Sequence, residues 1–191
     1  MYASSDDEKY MFYMALGIAV DKWQSVDMML QKLFARLVSG DYDSIAAAAA
    51  YYAIVGFKGR LDMTKYAARV RLTPTEYKRC AKLLSETETL SGDRNRFAHS
   101  YVMQGPVDKD GLRFYLAPMP LDPNYSEHYA KPLGIRAKKT RRYNLKELES
   151  VSNEFYDLAR RLFAYATTVK LAKIKRPSTL RRLRLPKRPR P

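Results

Sequence analysis

The sequence predicts an all-α protein: an up-and-down bundle of four main helices, a short hairpin or loop insertion after the third helix, and a disordered basic C-terminal tail. Apolar residues recur at three- and four-residue steps over most of the first 100 residues and again beyond residue 144. Two helix-start signatures also divide the chain, each placing a glutamate three residues after a capping side chain. Helices of this kind pack economically as one bundle. We expect one helical domain over residues 1–174, with the insertion at 102–142 and the tail at 175–191.

The first two helices are predicted from apolar spacing. The first covers residues 6–38 and ends at Ser39-Gly40. Its apolar side is expected to carry Tyr13, Leu16, Val20, Trp23, Met29 or Leu30, Leu33 and Leu37. The second begins near Ser44 and runs to about Arg71, and the glycines at positions 56 and 59 are places where it can bend. The apolar side of this helix is expected to carry Tyr51, Ile54, Phe57, Leu61, Tyr66 and Val70.

The starts of the last two helices are predicted from capping chemistry. Thr73-Pro74-Thr75-Glu76 combines a capping hydroxyl, proline at the first helical position and a glutamate placed for a capping box. This third helix is expected to loosen near Ser91-Gly92 and to continue to His99. Asn144-Leu145-Lys146-Glu147 is a second capping box, from which a final helix runs to about Lys173. The residues expected to face inward on it are Leu148, Val151, Phe155, Leu158, Leu162, Tyr165 and Val169.

The segment between these helices has a different pattern. Prolines and alternating apolar residues from 102 to 142 predict a hairpin or loop, with a turn at Asp108-Lys109-Asp110-Gly111 before a short strand over Leu112–Leu116. A basic cluster follows, and we expect it to flank a groove and bind RNA. Its members are Arg136, Lys138, Lys139, Arg141 and Arg142.

Composition limits the class of protein. With 191 residues and 46% hydrophobic residues, the chain can form one domain with a substantial core. One cysteine excludes an internal disulfide, and together with two distant histidines it predicts neither a zinc site nor another metal site. A reducing cytoplasm fits best. The apolar run at residues 11–20 is too short for a membrane span and lacks a basic leader, so we expect no signal peptide and no membrane insertion.

Charge is concentrated at the C-terminus. The net charge is +15, and residues 170–191 contain ten Lys or Arg and no acid. Proline also recurs there, which favours an extended or disordered tail attracted to polyanions. We expect RNA contacts from Arg181, Arg182 and Arg184. A solvated tail that promotes solubility and a contact with anionic lipid are the alternatives.

The residues best suited to chemistry lie at the end of the third helix, in Arg94-Asn95-Arg96-Phe97-Ala98-His99-Ser100-Tyr101. Arginine can hold a phosphate with a planar fork of donors, and imidazole can give or take a proton near neutral pH. On an ideal helix Asn95 and His99 lie about 40° apart, whereas Arg94 and His99 lie about 140° apart, so Arg94 must reach around the helix. The combination suits cleavage of RNA, whose 2′-OH is an internal nucleophile.

The motif, written Arg-x4-His-x-Tyr, resembles that of HEPN domains, all-helical modules that include many prokaryotic RNases and toxins. The resemblance extends over residues 6–170 and includes Asn95 directly after the arginine. It implies a metal-independent endoribonuclease without a cofactor that leaves a 2′,3′-cyclic phosphate, with Arg94, Asn95 and His99 as catalytic residues. It also implies a homodimer in which two motifs share one groove.

The resemblance extends to regulation. In toxins with this motif, a partner nucleotidyltransferase AMPylates the tyrosine that corresponds to Tyr101 and inactivates the RNase. Because this chain is longer than those toxins, a paired antitoxin is a hypothesis, and ordinary hydrogen bonding by Tyr101 is the alternative. Arg96 is a candidate RNA contact or a plain surface charge.

Two alternatives to catalysis remain for the motif. Arg94 and His99 can instead stabilise a helix end or an interhelical hydrogen bond. The whole chain can also be a noncatalytic HEPN-like module that binds RNA, a nucleotide or a protein partner. Other enzyme classes lack support, because the sequence contains neither a phosphate-binding glycine loop nor a nucleophile elbow.

Overall fold

The computed structural model describes residues 5–105, 111, 113–118 and 142–172. Within these ranges the chain forms five helices and a two-stranded antiparallel sheet. In chain order they are α1 (Ser5–Ser39), α2 (Ile45–Tyr52), α3 (Phe57–Arg71), α4 (Pro74–Ala98), β1 (Ser100–Gln104), β2 (Phe114–Pro118) and α5 (Leu145–Thr168). The all-α class is therefore confirmed. No helix in the described ranges is long and apolar enough to cross a membrane.

Three predicted helix boundaries are confirmed by local chemistry. α1 ends at Ser39, and the following Gly40 has a φ of 85°, a conformation that glycine adopts without strain. The Thr73 hydroxyl accepts from the backbone N–H of Glu76 at the start of α4. Both hydrogen bonds of the capping box between Asn144 and Glu147 form at the start of α5, at 3.0 and 2.9 Å.

The second predicted helix is wrong as a single element, because residues 44–71 form two helices. Gly56 has a φ of 91° and lies immediately before α3. This left-handed conformation interrupts helical hydrogen bonding and lets the chain change direction. The second of the four predicted helices thus becomes two, which gives five helices within the described ranges. The loosening expected at Gly92 does not occur, since α4 is continuous to Ala98.

α1 and α5 form the centre of the core. Trp23 of α1 contacts the ring of Phe57 in α3 at 4.9 Å and the ring of Phe155 in α5 at 5.1 Å, both edge to face. Lys22 donates to Asn153 at 3.2 Å, so α1 and α5 lie side by side. All seven residues predicted to face inward on α5 are buried, although the helix ends at Thr168 rather than near Lys173.

The predicted inward sides of α1 and α3 are partly wrong. Tyr13 and Val20 are exposed, and the buried positions of the first half of α1 are Phe12, Ala15 and Ala19. This half of α1 is apolar around most of its circumference, so periodicity alone does not reveal which side meets the core. On α3, Leu61 is buried as predicted, whereas Tyr66 and Val70 are exposed and Thr64 and Ala68 are buried instead.

A buried polar cluster joins α1, α2 and α3. The Tyr51 hydroxyl donates to Asp27 Oδ1 at 2.8 Å, and Arg60 Nη1 lies 2.9 Å from Asp27 Oδ2. Burial, and then the neighbouring Asp27, raise the pKa of Tyr51, so its hydroxyl stays protonated and remains a donor. The cluster attaches the short α2 to the two long helices beside it.

Candidate active site

His99 lies at the junction between α4 and β1. It follows the last residue of α4, and its backbone N–H donates to the carbonyls of Asn95 and Arg96 at 3.1 and 3.3 Å. Its φ of −118° and ψ of 17° then lead into β1, which begins at Ser100. The side chain is exposed, so a ligand in solvent can approach the imidazole.

Arg94 and Asn95 accompany His99 on this part of the surface. The hydrogen bond from the His99 backbone to Asn95 preserves helical register, so Asn95 lies one turn below His99 on the same side. Arg94 Nη1 donates to Asn95 Oδ1 at 3.0 Å. The guanidinium of Arg94 therefore lies against the amide of Asn95, the residue that shares a face with His99.

The other side of the same helical turn is held by a cluster that the sequence did not reveal. Asp93 and Tyr143 are buried, and the Tyr143 hydroxyl donates to Asp93 Oδ1. Arg96 Nη1 donates to the same carboxylate oxygen at 2.8 Å and to the Tyr143 hydroxyl at 3.0 Å. We refer to Asp93, Arg96 and Tyr143 as the brace.

The brace gives Arg96 a structural role, whereas the sequence indicated an RNA contact or a surface charge. The guanidinium takes part in the brace, yet half of its side-chain surface remains exposed. The spacing of Asp93 and Arg96 is a recognisable three-residue ion-pair signal. Tyr143 lies 50 residues beyond Asp93, and nothing in its local sequence links the two.

Tyr143 connects both sides of His99. Its ring contacts Phe97 of α4 edge to face at 5.0 Å. Its backbone exchanges hydrogen bonds with Leu116 of β2 at 2.9 and 3.4 Å, and Leu116 is paired with Val102 of β1. Tyr143 therefore links α4, which precedes His99, to the sheet that contains β1, which follows His99.

The protonation states of the brace follow from its surroundings. Burial, and then the hydrogen bond to Asp93, raise the pKa of Tyr143 to about 12. The hydrogen bond with Tyr143 is the main cause of a raised pKa at Arg96. At neutral pH the phenol is thus a neutral donor and the guanidinium is charged, which matches the observed hydrogen bonds.

Tyr101, the candidate site of modification, lies on β1 opposite Ala117. About half of the surface of this residue is exposed. A hairpin forms here as predicted, but its first strand already begins at residue 100 and its second covers residues 114–118 rather than 112–116. Of the predicted turn at residues 108–111, the structure describes only Gly111, which has a φ of 80°.

Most of the predicted RNA-contacting cations lie outside the described residues. This applies to Arg136, Lys138, Lys139 and Arg141 of the basic cluster and to Arg181, Arg182 and Arg184 of the tail. Arg142 is described and exposed, and its guanidinium lies 4.9 Å from the centre of the Tyr115 ring. Tyr115 lies on β2 and Arg142 lies on the segment before α5. The pair is therefore located at the hairpin that follows His99.

Among the described residues, no group of three or more His, Cys, Asp or Glu side chains is arranged to hold a metal ion. The chain was compared with protein-family models, with curated proteins and with solved structures, and none of the three comparisons returned a match.

Proposed function

We propose that this protein is a metal-independent endoribonuclease of the HEPN type, in which Arg94, Asn95 and His99 act on the RNA phosphodiester. The observation that carries the proposal is the hydrogen bond of 3.0 Å between Arg94 and Asn95, one helical turn from the exposed His99. It supports the proposal because it links a cation suited to phosphate to the amide that shares a helix face with His99. A helical bundle with the motif at a helix end is the architecture expected of this family.

The proposed reaction is an attack of the ribose 2′-OH on the adjacent phosphorus. A base removes the 2′-OH proton while an acid protonates the departing 5′-oxygen, and the products carry a 2′,3′-cyclic phosphate and a 5′-OH. His99 serves as the base or as the acid, and Arg94 stabilises the charge on the phosphorane. Asn95 accepts a hydrogen bond from the Arg94 guanidinium and orients it towards the phosphate. A homodimer that places two motifs along one groove would provide both proton-transfer groups.

The brace has a supporting role in this proposal. It fixes the last turn of α4 from the buried side, so that the exposed side presents Asn95 and His99 in a constant orientation. Arg96 is a positioning residue here, and RNA contact by its exposed half stays a prediction.

The experiment is incubation of purified protein with a mixed RNA panel in EDTA, followed by analysis of product ends. We expect cleavage with cyclic phosphate ends from the parent and none from His99→Ala. His128→Ala is the matched control, because it removes the only other histidine of the chain and should leave cleavage unchanged. Equal cleavage by the parent and His99→Ala would refute the assigned role, and EDTA-sensitive cleavage would refute the metal-independent reaction.

A noncatalytic RNA-binding module is the second candidate, and the charge distribution favours it. Residues 170–191 carry ten Lys or Arg and no acid. Deletion of residues 175–191 should lower RNA affinity and flatten its dependence on salt, because fewer counterions are released on binding. Binding by the parent and by His99→Ala without cleavage by either would favour this candidate, provided that intact mass shows Tyr101 unmodified. AMPylation at Tyr101 by a nucleotidyltransferase partner, or an antitoxin, would instead account for an inactive enzyme.

A further inference from the structure

The sheet formed by β1 and β2 has one face on the core and one face away from it. Phe114 and Leu116 are buried, and Val102, which is paired with Leu116, packs against the core. Side chains alternate along a strand, so the residues between these point the other way. We call this side the outer face of the hairpin; its members are Tyr101, Met103, Tyr115 and Ala117. Polar side chains usually cover such a face, whereas here two tyrosines and a methionine do.

Tyr115 is seated on a glycine. Gly105 continues β1, and its backbone N–H donates to the carbonyl of Arg113 at 2.9 Å. A Cβ added at Gly105 would lie 2.7 Å from Cε1 of Tyr115 and 3.3 Å from its hydroxyl oxygen. Gly105 does not have a positive φ, so the ring and not the backbone conformation accounts for the glycine. The missing side chain therefore lets the ring pack over the strand.

Arg142 lies over the Tyr115 ring, with its guanidinium 4.9 Å from the ring centre. Among the described residues, no carboxylate pairs with this guanidinium. Glu8 reaches the hairpin from α1, but its carboxylate accepts from the backbone N–H groups of Arg113 and Phe114. The ring thus orients the planar donors of Arg142, which are suited to a phosphate group.

Tyr101 provides an exposed ring on the same face. It is paired with Ala117, whose small side chain covers little of it, and it is 49% exposed. Tyr101 and Tyr115 are diagonal neighbours across the two strands, which places them about 7 to 8 Å apart. One aromatic ring and one oriented cation therefore lie within the reach of adjacent nucleotides.

We propose that the outer face of the hairpin binds an unpaired segment of RNA, with a base stacked on Tyr101 and a neighbouring phosphate bound by Arg142. Aromatic rings stack on bases that are not covered by neighbours, as in loops and single strands, whereas the bases of a duplex are already stacked. This inference rests on the proposed function, and it names single-stranded RNA as the substrate class.

The position of the hairpin fits this role. β1 begins directly after His99, and Tyr101 follows two residues later, about 7 Å along an extended strand. A base held on Tyr101 therefore places its own ribose and phosphate near the imidazole. The stacked base would fix the position of the scissile phosphodiester relative to His99.

The test is fluorescence anisotropy with a labelled 2′-O-methyl RNA strand of mixed sequence, which lacks the nucleophilic hydroxyl and is not cleaved. We expect the parent to bind this strand at least about tenfold more tightly than its duplex. Tyr101→Leu should weaken binding by about 5- to 150-fold, the loss of one base–aromatic stack. Tyr101→Phe keeps the ring and should bind as the parent does. Tyr66→Leu is the matched control, because it removes an exposed tyrosine from α3.

Arg142→Gln should weaken binding and reduce the slope of log affinity against log salt by about 0.7, the value for one phosphate contact on a single strand. Gly105→Ala tests how Arg142 is positioned, since the added Cβ displaces the Tyr115 ring without removing a charge. It should weaken binding in the parent but have no further effect in Arg142→Gln. Gly17→Ala is its matched control, because a Cβ at Gly17 meets nothing within 4 Å.

The proposal is overturned if Tyr101→Leu and Arg142→Gln bind the strand as tightly as the parent while their circular dichroism spectra are unchanged. Equal affinity of the parent for the strand and the duplex would also overturn it. Cleavage of ordinary RNA by a parent whose binding does not depend on these two residues would remove the subsite alone. Ring-dependent binding without any cleavage would support the subsite and remove the nuclease alone.

Discussion

Replacing Tyr143 by phenylalanine tests whether the brace holds the end of α4. The change removes one hydroxyl and keeps the ring, so the edge-to-face contact with Phe97 remains. It removes the hydrogen bond to the buried Asp93 carboxylate and the one from Arg96. A hydrogen bond to a charged group contributes about 1.5 to 3 kcal/mol, whereas the half-exposed Arg96 adds little. We expect a loss of about 2 kcal/mol in the free energy of unfolding.

For a chain of this length, each kcal/mol lowers Tm by about 2 to 4 °C, so Tyr143→Phe should lower Tm by roughly 4 to 8 °C. Differential scanning calorimetry measures this directly. Tyr66→Phe is the control, because Tyr66 is 67% exposed and its hydroxyl should contribute almost nothing. If the two variants melt within about 1 °C of each other, the brace does not stabilise the helix end.

The pKa of Tyr143 adds a pH dependence with a definite sign. The folded protein raises this pKa from 10.0 to about 12, so the protonated phenol is favoured in the native state. The resulting stabilisation is fully present below pH 10 and is lost as pH rises towards 12. The difference in unfolding free energy between the parent and Tyr143→Phe should therefore be constant from pH 7 to pH 9 and smaller at pH 11, as measured by urea unfolding. A difference that grows above pH 10 would contradict this reasoning.

Three further perturbations test other parts of the fold. Asp27→Asn should lower the free energy of unfolding by about 3 kcal/mol and Tm by about 10 °C, because the charge of Arg60 loses its partner in a largely buried site. Asp41→Asn is the control, since Asp41 is exposed and its replacement should change Tm little. Equal effects of the two changes would contradict a stabilising role for the buried cluster. Cys80 is buried with a pKa raised to about 12, so a thiol reagent should modify none of it in the native protein and all of it in guanidinium; rapid native labelling would show that the thiol is accessible. Hydrogen bonds from two lysines lower the pKa of Glu88 to about 2, so its stabilisation is present above pH 4.5 and lost as pH falls towards 2. Because the carboxylate is exposed, Glu88→Gln should lower the free energy of unfolding by less than about 1 kcal/mol at pH 7. Molar salt should abolish this difference between the parent and the variant. A difference that persists in salt would point to packing instead of charge.

The candidate site illustrates how far the sequence can lead. Arg94, Asn95 and His99 are close in the chain, and helical spacing already placed Asn95 and His99 on one face, whereas it placed Arg94 away from His99. Asp93 and Tyr143 meet across 50 residues, and only tertiary structure brings them together. The same is true of Arg96. Its spacing from Asp93 indicates an ion pair in the sequence, but its contact with Tyr143 depends on how α4 packs beside the segment before α5.

The sequence by itself determined features that depend on neighbouring residues. The capping side chains of Thr73 and Asn144 start their helices, Gly40 follows the end of α1, and the strongly one-sided pattern of α5 defines its buried face. Each follows from local hydrogen bonding or from a clear contrast between apolar and polar positions.

Tertiary structure decided the features for which local energies are nearly equal. The first half of α1 has apolar residues on most sides, so tertiary packing selected Phe12 rather than Tyr13 for the core. The backbone at Gly56 divides the expected second helix into two, and the buried contact of Tyr51 with Asp27 then attaches α2 to α1. Where local preference is weak, the burial of long-range partners determines the structure, because these contacts exist only once distant segments have come together.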